Sequence, residues 1–428
     1  GSSVSCSTLG QESFVGKMSH SSLFLSAACA SCLSAGSVLV SPQDPHLYFS
    51  EQNWHVHESL AVAVNPGAYL KLRFTASASV SLSLSAQPCL WDPCMKIAYS
   101  IDSKPLQIVP VPIHKAAVMP LGVGLNISSA HTLVLHIYNS IQYGNRWPDK
   151  GIPNQDERQA LLVKGIVLDA NAKTTPFSLR PKRMLAYGDS ITEGVLAECS
   201  GTGDLELNAA TKTWVQAVAT ALDAEYSQVG FGAQGWTKGG NGEVPPFFTP
   251  GDDGNSTWNK VFAGTPRSFS SLDYVFVLHA TNDGLALCPV DSVVAAVHGW
   301  LHAMRAAVGS NTAIFLVVPF GAFGAANPPV GALKLAFDEY QIVAADKRTF
   351  FLDLGEEAAI GLECGSWETD CVRAYGSSFG PSINGCDGIH PLGGTNTTAR
   401  HGELGALLAL RAALALAGVP TSHDEALI

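Results

Sequence analysis

Residues 184–194 read Met-Leu-Ala-Tyr-Gly-Asp-Ser-Ile-Thr-Glu-Gly, an apolar run that ends in an Asp-Ser pair between two glycines. The run predicts a buried strand, and Gly188 predicts a tight turn at its end, because a residue without a Cβ avoids a clash there. Ser190 is then raised on the turn, and the N–H groups after it open a helix whose positive dipole end favours an anion. The stretch is therefore typical of a nucleophilic serine on a strand-to-helix turn.

A serine nucleophile requires a base and an orienting carboxylate, because the free hydroxyl attacks weakly. Residues 386–391 read Cys-Asp-Gly-Ile-His-Pro, which places Asp387 three residues before His390. One short loop is enough to present both side chains. His390 is the candidate base for Ser190, and Asp387 is the candidate carboxylate that holds the imidazole tautomer.

Donors for a developing negative charge are predicted at two further places. Residues 273–283 read as a buried strand that ends near Asn282. The side-chain amide of Asn282 is a candidate oxyanion donor. A further donor is expected among the backbone N–H groups of the glycine block, residues 230–236, which read Gly-Phe-Gly-Ala-Gln-Gly-Trp. Gly235 is the preferred position and Ala233 is the neighbouring register, which a backbone donor permits.

Four sequence blocks follow one another in the order Gly-Asp-Ser-Ile-Thr, a glycine block, Thr-Asn-Asp and Asp-x-x-His. With these blocks in this order, the chain resembles the SGNH (GDSL) hydrolase superfamily. The resemblance implies a triad of Ser190, Asp387 and His390. It also implies an oxyanion hole made by the Ser190 N–H, a glycine-block N–H and the Asn282 amide. Any one block alone is more often an ordinary turn, and only the four together support the interpretation. The family usually has glycine where Ala280 stands, which is a departure from its pattern.

The rest of the chain predicts an α/β protein of two domains with an uncertain N-terminal segment, residues 1–37. Residues 38–173 alternate apolar and polar side chains between turn residues, which predicts a jelly-roll-like antiparallel β-sandwich. The proline-bearing residues 174–182 read as a linker. From 183 to 428, strand and helix patterns alternate, which predicts a flavodoxin-like doubly wound sheet with its site at the carboxyl ends of the strands.

This pairing of domains resembles carbohydrate esterase family 2, whose members remove acetyl groups from plant polysaccharides. The resemblance implies a serine esterase that acts on O-acetyl or other short acyl esters, on a carbohydrate, with no cofactor. Some members of that family work without an acidic triad residue, but Asp387 is present here, so a full triad is expected. A lipid or aryl esterase and an acyltransferase of the same superfamily remain alternatives. A carbohydrate-binding protein with a silent hydrolase domain is another alternative, against which the intact triad residues argue.

Charge and composition restrict the kinds of partner that the protein is expected to bind. The net charge of -11 argues against a nucleic acid or an anionic membrane surface. Leu23 to Val40 is apolar, and it is interpreted as strand and loop, with a signal-like or anchor region as the alternative. No membrane span is expected elsewhere, because Arg411 interrupts the apolar run 403–416, which reads as an amphipathic helix. His298 and His302 stand one helical turn apart without an evident third ligand, so no metal site is predicted.

The ten cysteines do not have the spacing of a zinc site. Cys89 and Cys94 flank a Trp-Asp-Pro turn, and Cys364 precedes both Cys371 and Cys386, either of which is a candidate partner. These placements favour one or two disulfides and thus a secreted or lumenal protein, with reduced buried thiols as the alternative. Oligomeric state does not follow from the sequence.

Overall fold

A computed structural model describes residues 36–87, 92–147, 159–198, 204–320, 328–355, 390–391 and 400–419. Its first twelve strands pair only antiparallel and form two six-stranded sheets. One sheet has the order β3-β4-β11-β6-β9, with β1 also paired to β11, and the other has the order β12-β5-β10-β7-β8, with β2 also paired to β5. The strands are β1 Ser37–Val40, β2 Leu47–Phe49, β3 His55–His57, β4 Leu60–Ala63, β5 Tyr69–Thr75, β6 Ser79–Leu84, β7 Met95–Ile101, β8 Gln107–Pro110, β9 Ala117–Val123, β10 Ala130–Ser140, β11 Leu161–Asp169 and β12 Lys173–Thr175.

The alternation of the sequence explains why these strands stack into a sandwich. In β6, Val80, Leu82 and Leu84 are buried, whereas the serines between them are partly exposed. The buried residues of both sheets form one hydrophobic core, to which β5 and β10 contribute in the same alternating way. The prediction of an antiparallel β-sandwich is confirmed.

A five-stranded parallel sheet follows, with the order β14-β13-β17-β18-β19. Numbered along the domain, this order is 2-1-3-4-5, that of a flavodoxin-like doubly wound fold. The elements in chain order are β13 Lys182–Gly188, α1 Ser190–Glu193, α2 Asp204–Leu207, α3 Trp214–Ala221, β14 Ala224–Gly230, β15 Lys260–Phe262, β16 Thr265–Pro266, β17 Tyr274–Leu278, α4 Thr281–Leu285, α5 Val290–Val308, β18 Ala313–Val317, α6 Pro328–Ala344, β19 Thr349–Leu352 and α7 Arg400–Leu416. Strands β15 and β16 form a separate hairpin.

Helices cover both faces of the parallel sheet. On one face, α3 and α7 pack against each other, and Trp214 is buried with Leu404 and Leu408. On the other, α5 and α6 pack together and bury Trp300 and Tyr340. The central strands lie between these two layers, which is why their sequences are nearly continuous in apolar residues. The prediction of a doubly wound sheet is confirmed.

The sandwich covers the edge strand β14, whose outward backbone groups would otherwise lack partners. The Asn53 amide donates to the Gln228 carbonyl at 2.7 Å and accepts from the Gln228 N–H at 3.1 Å. The Asn65 amide donates to the Gly230 carbonyl at 3.3 Å, and the Tyr226 N–H donates to the Tyr69 hydroxyl at 3.2 Å. These side chains replace a neighbouring strand and protect the sheet edge.

The two predicted domains also share apolar packing. Val62, Val64 and Leu162 of the sandwich belong to the same buried cluster as Leu185 and Val229 of the parallel sheet. Strand β12, the last of the sandwich, reaches two residues into the segment predicted as the linker. The domain boundaries themselves stay predictions, and residues 1–35 lie outside the described part of the chain.

Cys94 is disulfide-bonded, whereas Cys288 is a buried cysteine outside any disulfide. Cys89 and the three later cysteines of the predicted pairs lie outside the described residues, so these pairings stay predictions. Among the described helices, none combines the length and apolar character that a membrane crossing requires.

Candidate active site

The nucleophile turn is built by the end of β13 and by the four-residue helix α1. A Cβ on Gly188 would lie 2.0 Å from the Thr192 hydroxyl and 2.8 Å from the Leu278 carbonyl oxygen, so only glycine fits there. Asp189 caps the helix, because its carboxylate accepts a hydrogen bond from the Ile191 N–H at 3.0 Å. The predicted strand, turn and raised serine are therefore present.

Ser190 and His390, which lie 200 residues apart in sequence, meet at the carboxyl end of the sheet. His390 Nε2 lies 2.7 Å from Ser190 Oγ, within hydrogen-bonding distance. Their exposed fractions are 8% for Ser190 and 9% for His390, so the pair is largely shielded from solvent. This geometry allows the imidazole to take the hydroxyl proton. Asp387 lies outside the described residues, and its contact with His390 stays a prediction.

Asn282, in the first turn of α4, links the nucleophile turn to the glycine block. Its amide nitrogen donates to the Gln234 carbonyl at 3.0 Å and to the Asp189 carboxylate at 3.2 Å. Burial raises the pKa of Asp189 to about 6, despite the Ile191 N–H that lowers it. Asn282 thus contacts Asp189, the residue before Ser190, and its role as an oxyanion donor stays a prediction. To donate to a substrate oxygen, its amide must exchange one of these two contacts.

Within the glycine block, the N–H groups differ in whether they already have an acceptor. The Gly235 N–H donates to the Lys238 carbonyl at 2.9 Å, and the Gly232 N–H donates to the Glu193 carboxylate at 2.6 Å. In the described part of the chain, neither the Ala233 N–H nor the Ser190 N–H donates to any acceptor. A vacant donor suits an oxyanion better than an occupied one. We therefore propose the Ala233 register, the alternative to the predicted Gly235, and the identity of the donor stays a prediction.

His279 and Ala280 connect β17 to α4. The His279 ring packs against Phe247, with ring centroids 4.5 Å apart, and burial lowers its pKa to about 3, so it stays neutral. Ala280 has φ 130° and ψ −14°, a conformation that residues with a Cβ rarely adopt. This strain explains physically why glycine is expected at a turn of this shape.

We predict that Ala280→Gly leaves the free energy of unfolding unchanged or raises it by up to about 1 kcal/mol. The relief of about 1–3 kcal/mol of backbone strain offsets the entropy and packing that glycine loses. Ala296→Gly is the matched control, because Ala296 is buried like Ala280 but lies in the middle of helix α5, and it should lose about 1 kcal/mol. Urea unfolding of both variants measures the difference. Equal losses at the two positions would show that Ala280 is not strained.

Residues 186–391 match the model of the GDSL-like Lipase/Acylhydrolase family. This range is similar to the family, which supports an ester hydrolase, and it contains Ser190, Asn282 and His390. No curated protein matches the chain in sequence.

Solved structures resemble the chain over most of its length. A family two carbohydrate esterase from Cellvibrio japonicus is 16% identical over 74% of this chain and 88% of its own, with a TM-score of 0.59. A family 2 carbohydrate esterase with a carbohydrate binding domain from Corynascus thermopiles (Myceliophthora fergusii) is 18% identical over 87% and 99%, with a TM-score of 0.59. A salicylyl-acyltransferase from a tetracycline biosynthetic pathway is 14% identical over 90% and 99%, with a TM-score of 0.53. At these identities the likeness shows a shared two-domain fold.

Two residues that contact the site were not predicted from the sequence. Asp189 holds the Asn282 amide, and Glu193 accepts from the Gly232 N–H, although both carboxylates lie inside the stretch that defines the nucleophile. Their position next to Ser190 was the available signal. Glu193 in turn pairs with Arg146 of the sandwich, for which no local pattern exists.

Proposed function

We propose that the protein is a serine esterase that hydrolyses O-acetyl or other short acyl esters on carbohydrate through an acyl-serine intermediate. The distance of 2.7 Å between His390 Nε2 and Ser190 Oγ, on a GDSL-like domain, is the observation that supports this best. A hydroxyl that shares a hydrogen bond with a shielded imidazole is poised for nucleophilic attack.

The proposed reaction has two halves. Ser190 attacks the ester carbonyl while its proton passes to His390, and the resulting oxyanion is held by the Ser190 N–H, the Ala233 N–H and the Asn282 amide. Collapse breaks the bond to the alkoxide, which takes the proton from His390 and leaves as the alcohol. Water, deprotonated by His390, then attacks the acyl-Ser190, and collapse releases the carboxylic acid while His390 returns the proton to Ser190 Oγ. Asp387 is proposed to hold the His390 tautomer throughout, and the chemistry needs no cofactor.

The carbohydrate substrate is proposed from the arrangement of the two domains. The solved structures that share this arrangement include two family 2 carbohydrate esterases, one of them described with a carbohydrate binding domain. The likeness to a salicylyl-acyltransferase supports a second candidate, in which an alcohol replaces water as the acyl acceptor. Both candidates use the same acyl-serine and differ only in the second half of the reaction.

We propose a secreted or lumenal location for the same protein. The disulfide at Cys94 supports an oxidising compartment, because such bonds are rare where cellular thiols are reduced. The net charge of -11 supports a neutral substrate over a nucleic acid.

A substrate panel tests the function. Initial rates are measured on acetylated xylan, acetylated mannan and nitrophenyl esters of rising chain length, with and without an added alcohol. An acetylesterase prefers acetyl over long acyl groups and releases free acetate on the polysaccharides. A preference for long chains would indicate a lipid esterase, product esters formed with the alcohol would indicate an acyltransferase, and inactivity on every ester would contradict the proposal.

We predict that Asn282→Ala lowers kcat by about 10²–10³, the range observed when one oxyanion donor is removed, with little change in KM. The amide acts on charge that develops only in the transition state, so ground-state binding should be preserved. Steady-state kinetics on a nitrophenyl acetate measure both constants. A raised KM with an unchanged kcat would assign Asn282 to substrate binding instead.

A further inference from the structure

A buried ion pair connects the β-sandwich to the nucleophile helix. Arg146 follows β10 in the sandwich, and its guanidinium donates to the Glu193 carboxylate at 2.6 Å and 3.2 Å. The side chains are 0% and 1% exposed. The guanidinium also lies over the ring of Phe231, 5.2 Å from its centroid. Two donors and a ring contact hold this arginine in one orientation.

The Glu193 carboxylate is where three segments of the chain meet. Glu193 ends α1, which begins at Ser190, so the two side chains are one helical turn apart. The oxygen of Glu193 that receives the second Arg146 bond also accepts the Gly232 N–H at 2.6 Å. Gly232 immediately precedes Ala233, whose N–H donates to nothing in the described residues. The carboxylate therefore ties the nucleophile helix to the loop that offers the vacant backbone donor.

We propose that Arg146 is a positioning residue for ester hydrolysis, through which the β-sandwich completes the oxyanion hole of the other domain. Arg146 neutralises Glu193 and fixes the carboxylate so that the Ser190 helix and the glycine block keep their relative positions. The inference rests on the proposed function, because it assumes that Ser190 and these backbone donors do the chemistry. Arg146 itself does not touch the substrate.

Two physical effects give Arg146 this role. An unpaired Glu193 would leave a buried negative charge one turn from the place where the oxyanion forms, and like charges repel strongly where water is excluded. Loss of the two-point contact would also let the glycine block shift. A displacement of about 1 Å in a catalytic group costs up to about 10²-fold in rate. Both effects act on the transition state more than on substrate binding.

The experiment measures kcat and KM on nitrophenyl acetate, and the rate at which a fluorophosphonate labels Ser190. Arg146→Met should lower kcat and the labelling rate by about 30-fold or more, with KM within about threefold. Arg146→Lys keeps the charge without the two-point contact and should lose only about 3–10-fold. Adding Glu193→Gln to Arg146→Met removes the unpaired charge while an amide oxygen still accepts from Gly232, so the double variant should regain at least about fivefold.

Lys71→Met is the matched control. Lys71 forms a cross-domain ion pair with Glu225 at 2.7 Å, but Glu225 lies at the opposite end of β14 from the glycine block. The control should keep kcat and labelling within about threefold of the wild type, even where thermal unfolding shows a similar loss of stability. An equal loss in Lys71→Met would show that any weakening of the domain interface lowers activity, which overturns a specific role for Arg146.

Labelling of the folded protein separates positioning from stability. If folded Arg146→Met is labelled at nearly the wild-type rate, the inference is overturned. If Arg146→Met does not fold, Arg146→Lys takes its place, and a labelling rate within about twofold of the wild type overturns the inference. Ser190→Ala distinguishes a failure of the proposed function from a failure of the role of Arg146. Turnover by Ser190→Ala within about tenfold of the wild type contradicts the proposed function itself. A loss of at least about 10⁴-fold in Ser190→Ala beside an unaffected Arg146→Met contradicts only the role of Arg146.

Discussion

Ser190→Ala is expected to lower kcat by at least about 10⁴-fold on any ester that the wild-type protein hydrolyses. The oxygen that forms the covalent bond is gone, and the remaining groups retain only the catalysis of the oxyanion hole and substrate binding. The loss corresponds to at least about 5 kcal/mol of transition-state stabilisation. The fold should survive, because the Ser190 side chain adds only a hydrogen bond to His390 in the described residues. Stopped assays at high enzyme concentration measure the residual rate.

His390→Ala provides the companion measurement. It removes the base that lies 2.7 Å from Ser190 Oγ. When two catalytic groups act as a unit, removing one of them lowers kcat about as much as removing both. The double variant should therefore be little worse than either single one. Residual activity of Ser190→Ala within about tenfold of the wild type would contradict the assignment of the nucleophile.

Asp387→Asn is expected to lower kcat by about 10⁴-fold near neutral pH. An asparagine in this place favours the wrong tautomer of His390, so the ring nitrogen that faces Ser190 carries a proton and is unable to act as a base. The pH dependence of kcat is the measurement, because a hydroxide-assisted route raises the residual rate at high pH. Thermal unfolding checks that the loss is not one of structure.

A smaller effect at Asp387 would lead to a different account of His390. Should Asp387→Asn cost less than about tenfold while His390→Ala remains inactive, a Ser190 and His390 dyad, oriented by a backbone carbonyl, would describe the site. The spacing of three residues permits contact between Asp387 and His390 but does not require it. The kinetic comparison decides between triad and dyad.

Local patterns predicted most of the fold. The period of two in β6 and the helical period in α5 each reflect one buried face, and both elements lie where the patterns place them. The nearly continuous apolar run of β18 identified a strand buried between helix layers. The edge contacts of β14 had no such signal, because Asn53 and Gln228 are 175 residues apart and each is an ordinary polar residue in its own segment.

The site was predictable where chemistry restricts the residue type. Ser190, Asn282 and His390 stand in recognisable blocks, because a hydroxyl, an amide and an imidazole have few substitutes in this reaction. The backbone donor is different, since any residue has an N–H group and the choice between Gly235 and Ala233 depends on the acceptors nearby. Arg146 was not predictable either, because Glu193 becomes its neighbour only in the folded chain.

The most direct measurement of the central claim is mass spectrometry of the protein after rapid acid quench during turnover of a nitrophenyl acetate. We expect one added acetyl group, which peptide mapping assigns to Ser190, with no such species in Ser190→Ala and a longer-lived one in variants that deacylate slowly. An acetyl group on another residue, formed at the rate of turnover, or turnover by Ser190→Ala within about tenfold of the wild type, would contradict the claim that Ser190 is the nucleophile.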